Sequence, residues 1–277
     1  MPSETRGSRS VPFRSPDDHG FVRPTAGDFW RAGLPGLTSW FDRLLIRFFG
    51  SLLSRCLSGV RGFEHIDPGK GPFVLVANHN QRLEAPLLPT VLLFRRAGDP
   101  VRFVADWPMK IVPLFGRCFK IGRMITVTQK DARPRWLNVF RPLFHEPVPA
   151  FDRALLALQE GDSVGVFVEG TMNRHPTRLL RGRTGAARLA ATAGVPVVPV
   201  GIRFPEHDGS RLISDRDRLS IDIGAPIEPP SPGGGDPEEE VVEAFHASIM
   251  GALERLSGKR WDPDAPTRRI PLERPQE

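Results

Sequence analysis

The sequence predicts an α/β protein: a single domain with a largely parallel central sheet flanked by helices, preceded by an N-terminal amphipathic helix. Three observations carry that expectation. Short apolar runs bounded by turn residues alternate with helical periodicities through the middle of the chain. A sheet whose strands are separated by helices is mainly parallel and covered on both faces. The 277 residues, 40% hydrophobic and 25% charged, suffice for a substantial core.

Taken in order, residues 1–36 read as a flexible N-terminal segment; the first twenty are polar and charged and form no secretory signal. From Leu37 onward, Trp40, Phe41, Leu44, Leu45, Phe48, Phe49, Leu52, Leu53, Cys56 and Leu57 recur at steps of three and four. That spacing predicts an amphipathic helix over 37–60, with Arg43, Arg47 and Arg55 off its apolar face. The interrupting charges, and the lack of any run of eighteen apolar residues, argue against a membrane span. The helix either lies in a membrane interface or docks on the protein's own core.

Residues 61–227 carry the alternation. Phe73–Ala77 reads as a strand that runs into Asn78-His79 and then a helix from about Ala85 to Phe94. A helix around Asp152–Gln159 precedes a second strand, Ser163–Val168. A helix over Thr184–Thr192, stopped at Gly194, leads to a third strand at Val195–Ile202; Leu219–Ile223 is a fourth. Two prolines inside the third strand, Pro196 and Pro199, suggest an edge or the wall of a cleft, since each removes a ladder donor. Residues 228–240 read as a linker, 241–257 as a helix and 258–277 as a polar tail.

Lys and Arg total 38 against 32 acids, a net charge of +6. That favours an anionic partner, whether a membrane surface, a phosphorylated substrate or nucleic acid, or else serves solubility alone. The basic stretch 174–183 lacks neighbouring aromatic stacking partners and any recognised module, so no nucleic acid is expected. Two cysteines make neither a disulfide framework nor a four-thiolate metal site; no metal is implied, and the expected compartment is cytoplasmic.

In parallel sheets reactive groups gather beyond the carboxyl ends of strands. His79 and Glu169 each stand there. His79 and Glu84, five residues apart, meet only if His79 lies in the loop and Glu84 opens the following helix. A carboxylate on one imidazole nitrogen makes the other a better general base. The stretch Glu169-Gly170-Thr171-Met172-Asn173-Arg174 offers close backbone approach, a hydroxyl and a guanidinium, all good phosphate partners.

Together and in this order, Asn78 to Glu84, Phe167 to Arg174 and Val195 to Val200 resemble three blocks of the glycerolipid acyltransferase family, whose founding activity is 1-acylglycerol-3-phosphate acyltransferase. Leu158-Gln159-Glu160-Gly161, Gly185 to Ala190 and Ile223 to Ile227 also fit, so the likeness covers roughly residues 40–230. The resemblance implies a glycerol-phosphate-acyltransferase-like fold and direct acyl transfer from acyl-coenzyme A or acyl-carrier protein to a hydroxyl of a lysophospholipid or related glycerol-phosphate lipid, in phospholipid biosynthesis. His79 would be the general base, oriented by Glu84. Glu169, Gly170 and Thr171, with Arg174, would hold the acceptor's phosphate. The residues agree on one point: neither a Gly-x-Ser-x-Gly elbow nor a base-activated Cys is present, which leaves a proton-abstracting His.

Where the family usually has Asp, this chain has Glu84; Val168 replaces a Pro and Met172 an Arg. The Arg that closes another family block is also missing, leaving Arg123 or Lys130 as candidates to replace it. With an anionic lipid acceptor and a thioester donor, and no further cofactor, the interface reading of the 37–60 helix gains weight. The expected place is peripheral, on the inner face of a membrane. The alternative is a diverged, non-catalytic member that binds lipid or an acyl carrier.

Overall fold

The structure, a computed structural model, describes residues 13, 20–67, 69–112, 114–128, 131–132, 134–230 and 236–272. Two helices come first, α1 (Ala26–Arg31) and α2 (Trp40–Leu53). The alternating body follows: β1 (Leu57–Arg61), β2 (Val74–Ala77), α3 (Glu84–Arg95), β3 (Val101–Asp106), α4 (Phe115–Ile121) and β4 (Ile125–Val127). It continues through α5 (Ala150–Gln159), β5 (Ser163–Phe167), α6 (Gly185–Ala193), β6 (Val197–Arg203), β7 (Leu219–Ile223) and α7 (Glu239–Ser257).

The strands form one seven-stranded sheet in the order β1-β7-β6-β2-β5-β3-β4. Every neighbouring pair is parallel except β6–β7. All four residues of β2 are buried. Leu75 and Ala77 join the apolar cluster on one face, with α1, α2 and α3; Val74 and Val76 join the other, with α5, α6 and α7. This is the period of two expected of a strand buried on both sides. The fold class is the expected one.

Several boundaries differ. The helix expected over 37–60 ends at Leu53, and Leu57–Arg61 instead pairs with β7 as an edge strand. Its apolar residues satisfy a strand as well as a helix, and Gly59 and Gly62 disfavour the helix. Strands β3 and β4 arise where no strand was expected. Within the segment expected to be flexible, α1 is anchored by Phe29, which is fully buried and meets Phe94 edge to face at 4.8 Å; residues 1–12 and 14–19 lie outside the described residues. Of the expected linker, 231–235 lie outside them too, and Glu239 already belongs to α7. The expected polar tail is folded as far as it is described. Arg260 exchanges backbone bonds with Thr177 and Leu179 (2.8 and 2.9 Å), and Lys259, Ala265 and Ile270 are buried.

Pro199 is not at an edge: β6 lies between β2 and β7. The antiparallel ladder to β7 begins at Val200–Ile223, and the donor that Pro199 lacks would face Gly224, the residue after β7. Its carbonyl still accepts from Gly224 N at 2.8 Å. The proline thus leaves out only the reciprocal bond of this pair, just beyond the end of the ladder.

Candidate active site

β2 and β5 are adjacent and parallel, so the residues that follow them emerge side by side. His79 and Glu169 each stand two positions past a strand end, and the backbone joins them. His79 N donates to Glu169 Oε2 (2.9 Å), and Asn173 N donates to the His79 carbonyl (2.7 Å). Asn78, fully buried, ties the same loop to β6 through Ile202 N (2.7 Å) and the Ile202 carbonyl (3.1 Å).

The loop then turns so that Glu84, the first residue of α3, faces back. Glu84 Oε2 lies 2.9 Å from His79 Nδ1 and accepts from Asn80 N at 2.6 Å; Asn80 Nδ2 donates to Oε1 at 2.9 Å. The helix N-terminus favours the negative charge there. An imidazole proton held on Nδ1 by Glu84 would leave Nε2 free to accept another. The ring stacks at 4.4 Å on Phe167 and its side chain is 17% exposed.

His79 lines a cavity of about 760 Å³. Arg82, Gly170, Thr171 and Arg183 line it as well, and much of the remaining wall is apolar: Ile46 and Phe49 from α2, with Leu93, Phe103, Phe119 and Leu189. This volume sits in the range of ligand pockets, and the mixture of a few polar groups with a long apolar wall suits an amphiphile. Gly170 has φ +63°, and a Cβ there would come within 2.6 Å of Arg183 Nε. The glycine thus serves both the turn and the close seat of the guanidinium.

The expected phosphate-holding residues divide. Gly170 and Thr171 reach the cavity. Glu169 does not hold substrate: it is 1% exposed, and Asn173 Nδ2 (2.7 Å) and Leu180 N (2.8 Å) fill its second oxygen. Burial pushes its carboxyl up, against Lys259 and these donors. Its role is to brace the His79 loop. Arg174 is engaged elsewhere, with the Ile213 carbonyl and Asp215 at 2.8 Å each. Arg123 is paired with Asp162 at 2.8 Å. Lys130 lies outside the described residues. Arg82 and Arg183 stand at the cavity instead. Both were visible in the sequence, but nothing in their spacing distinguishes them from the other arginines nearby.

Sequence reasoning missed Asn80 and Lys259 altogether. Lys259 Nζ donates to the His175 carbonyl (2.6 Å) and to Asn80 Oδ1. It is 2% exposed, and burial, opposed by Glu169 and Glu84, lowers its ammonium to about 8. Only the folded route of the chain after α7 reveals it.

Comparison with known proteins bears on the fold and the family. The chain is 26% identical over 141 residues to the chloroplastic 1-acyl-sn-glycerol-3-phosphate acyltransferase BAT2 of Brassica napus, a match covering 51% of this chain and 36% of that protein. The matched stretch is thus about a third of the relative's length. The fold resembles the crystal structure of the 1-acyl-sn-glycerophosphate acyltransferase PlsC from Thermotoga maritima, with a TM-score of 0.52 at 22% identity, over 80% of this chain and 81% of that one. The profile of the acyltransferase family matches residues 58–203, just over half the chain and inclusive of His79, Glu84 and the Gly170 turn. The chain belongs to the acyltransferase family.

Proposed function

We propose that the protein moves a fatty acyl group from the thioester of acyl-coenzyme A or acyl-carrier protein to a hydroxyl of a lysophospholipid or related glycerol-phosphate lipid, as a step of phospholipid biosynthesis. The observation that carries this is the His79–Glu84 pair, closed at 2.9 Å, on a cavity whose wall is mostly apolar and whose other polar groups include two arginines.

In this reading Nε2 of His79 takes the hydroxyl proton while the oxygen attacks the thioester carbonyl. Glu84 stabilises the imidazolium that forms. Collapse of the tetrahedral adduct breaks the carbon–sulfur bond, and the imidazolium returns its proton to the departing thiolate. No acyl-enzyme and no cofactor beyond the donor are required. Arg82 and Arg183, with the Thr171 hydroxyl, would bind the acceptor's phosphate. The apolar wall would take an acyl chain.

The reading puts the protein at the inner, cytoplasmic face of a membrane. α2 supports this: Trp40, Leu44, Phe48 and Leu52, four residues apart, are exposed in one stripe. Trp40 is 74% and Phe48 57% exposed, in a protein whose substrates are amphiphiles. Among the described residues no helix is long and apolar enough to cross a membrane.

The test is to mix the purified protein with acyl-coenzyme A or acyl-carrier protein and, in turn, lysophosphatidate, other lysophospholipids and glycerol 3-phosphate. Mass spectrometry should find an acylated lipid in equal amount to the thiol released. Thiol release matched only by free fatty acid, or no reaction with any pair, would contradict acyl transfer.

A further inference from the structure

The acyltransferase match ends at residue 203, yet the chain returns to the site more than fifty residues later. α7 stops at Gly258, whose φ of +70° turns the backbone back toward the sheet. Lys259 follows, and its side chain runs under the His79 loop. Its Nζ bonds to Asn80 Oδ1 and to the His175 carbonyl. Asn80 in turn gives both its backbone and side-chain N–H groups to Glu84. A continuous line of bonds therefore leads from Lys259 through Asn80 and Glu84 to His79 Nδ1.

The charges along this line matter as much as the bonds. Glu84 and Glu169 are each 1% exposed, a separation from water that two carboxylates tolerate only with compensation. Both attract Lys259. Nearby, Arg82 and Arg183 line the substrate cavity, whereas Arg203, His207 and Asp208 share with Lys259 a smaller cavity of about 330 Å³. Arg203 is tied to Asp222 at 3.5 Å, and the imidazole of His207 lies 3.9 Å from Asp217. Lys259 is thus the ammonium that reaches Asn80, between the two buried acids.

We infer that Lys259 is a positioning residue of the active site, supplied by the C-terminal segment: its buried ammonium fixes Asn80 and balances Glu84 and Glu169, so that Glu84 is held against His79. Without it, the two buried carboxylates lose their compensating cation and Asn80 loses its ammonium partner. Glu84, no longer held by a fixed Asn80, then ceases to orient the imidazole. Substrate contacts are untouched, since Lys259 is not among the residues that line the substrate cavity. Above the range in which the amine holds its proton, the two hydrogen bonds persist but the compensation is lost.

This inference rests on the acyl-transfer reading for its kinetic test. In Lys259→Met, kcat should fall about a hundredfold while KM for donor and acceptor stays within threefold. In Lys259→Ala, added ethylammonium should restore at least tenfold of the loss, because a small primary ammonium fits the vacated stem. A folded methionine variant with native kcat, or an alanine variant indifferent to ethylammonium, overturns the inference. Should neither variant fold, the native pH profile decides: kcat should decline as pH rises through about 8, and a flat profile from pH 7 to 10 contradicts the role. A native protein that acylates nothing removes the acyl-transfer reading instead. The proton NMR signal of the hydrogen bond between His79 Nδ1 and Glu84 then decides this point: it should move in Lys259→Met relative to the native chain, and an identical signal refutes the coupling.

Discussion

The region matched by the family and the segments that flank it contribute in different ways. Residues 58–203 hold the groups to which the proposed chemistry is assigned: the imidazole, its carboxylate partner, and the Gly170–Arg183 turn. The flanks supply surroundings. α2 lends Ile46 and Phe49 to the cavity and turns an apolar stripe outward; the segment after α7 sends Lys259 beneath the loop. Chemistry depends on a short spacing that a motif records, such as the five residues from His79 to Glu84. Surroundings depend on tertiary return, which no local spacing records.

If this division holds, changes in the core alter turnover, and changes in α2 alter access to lipid. Glu84→Gln should cost the most among these tests. It keeps the size but cannot stabilise an imidazolium, so kcat should fall about a hundredfold in steady-state assays. Next comes Gly170→Val. A side chain at φ +63° is strained, and its Cβ would displace Arg183, so KM for a phosphate-bearing acceptor should rise about tenfold with a smaller change in kcat. In the flank, Trp40→Ser and Phe48→Ser should each weaken binding to phospholipid vesicles about tenfold in a flotation assay. Turnover of a water-soluble, short-chain acceptor should stay within twofold. A fall in that turnover equal to the loss of vesicle binding would erase the division between core and flank.

The smallest effect concerns pH and stability. The folded value of Lys259 lies near 8, below its ordinary 10.5, so between these the unfolded chain binds more protons than the native one. Lys259 therefore makes stability rise as pH increases across that window. Chemical denaturation at pH 8 and pH 10 should show this rise in the native protein and lose it in Lys259→Met.

Much of the site was legible in the sequence because it is local. His79, Glu84, Gly170 and Thr171 were expected from motif residues and reach the cavity or its dyad. Glu169 was found but its task was misread, because a carboxylate next to a glycine turn looks the same whether it faces solvent or the underside of a loop. Arg174 and Arg123 were candidates by charge, yet Asp215 and Asp162 hold them. Spacing does not tell which acid will claim a given guanidinium. The sheet was foreseen in class but not in extent: β1, β3 and β4 lie in stretches where apolar residues fit a helix or loop as well, and only pairing with neighbours settles them. Lys259 was hidden for the plainest reason, since a lone lysine after a helix gives no sign of burial.

The most direct test of the central claim is the turnover of His79→Ala, measured with the donor and acceptor pair that the native protein uses. The account predicts a loss of about a thousandfold in kcat with the fold intact by circular dichroism and substrate binding retained. Native turnover from a folded His79→Ala protein would contradict it.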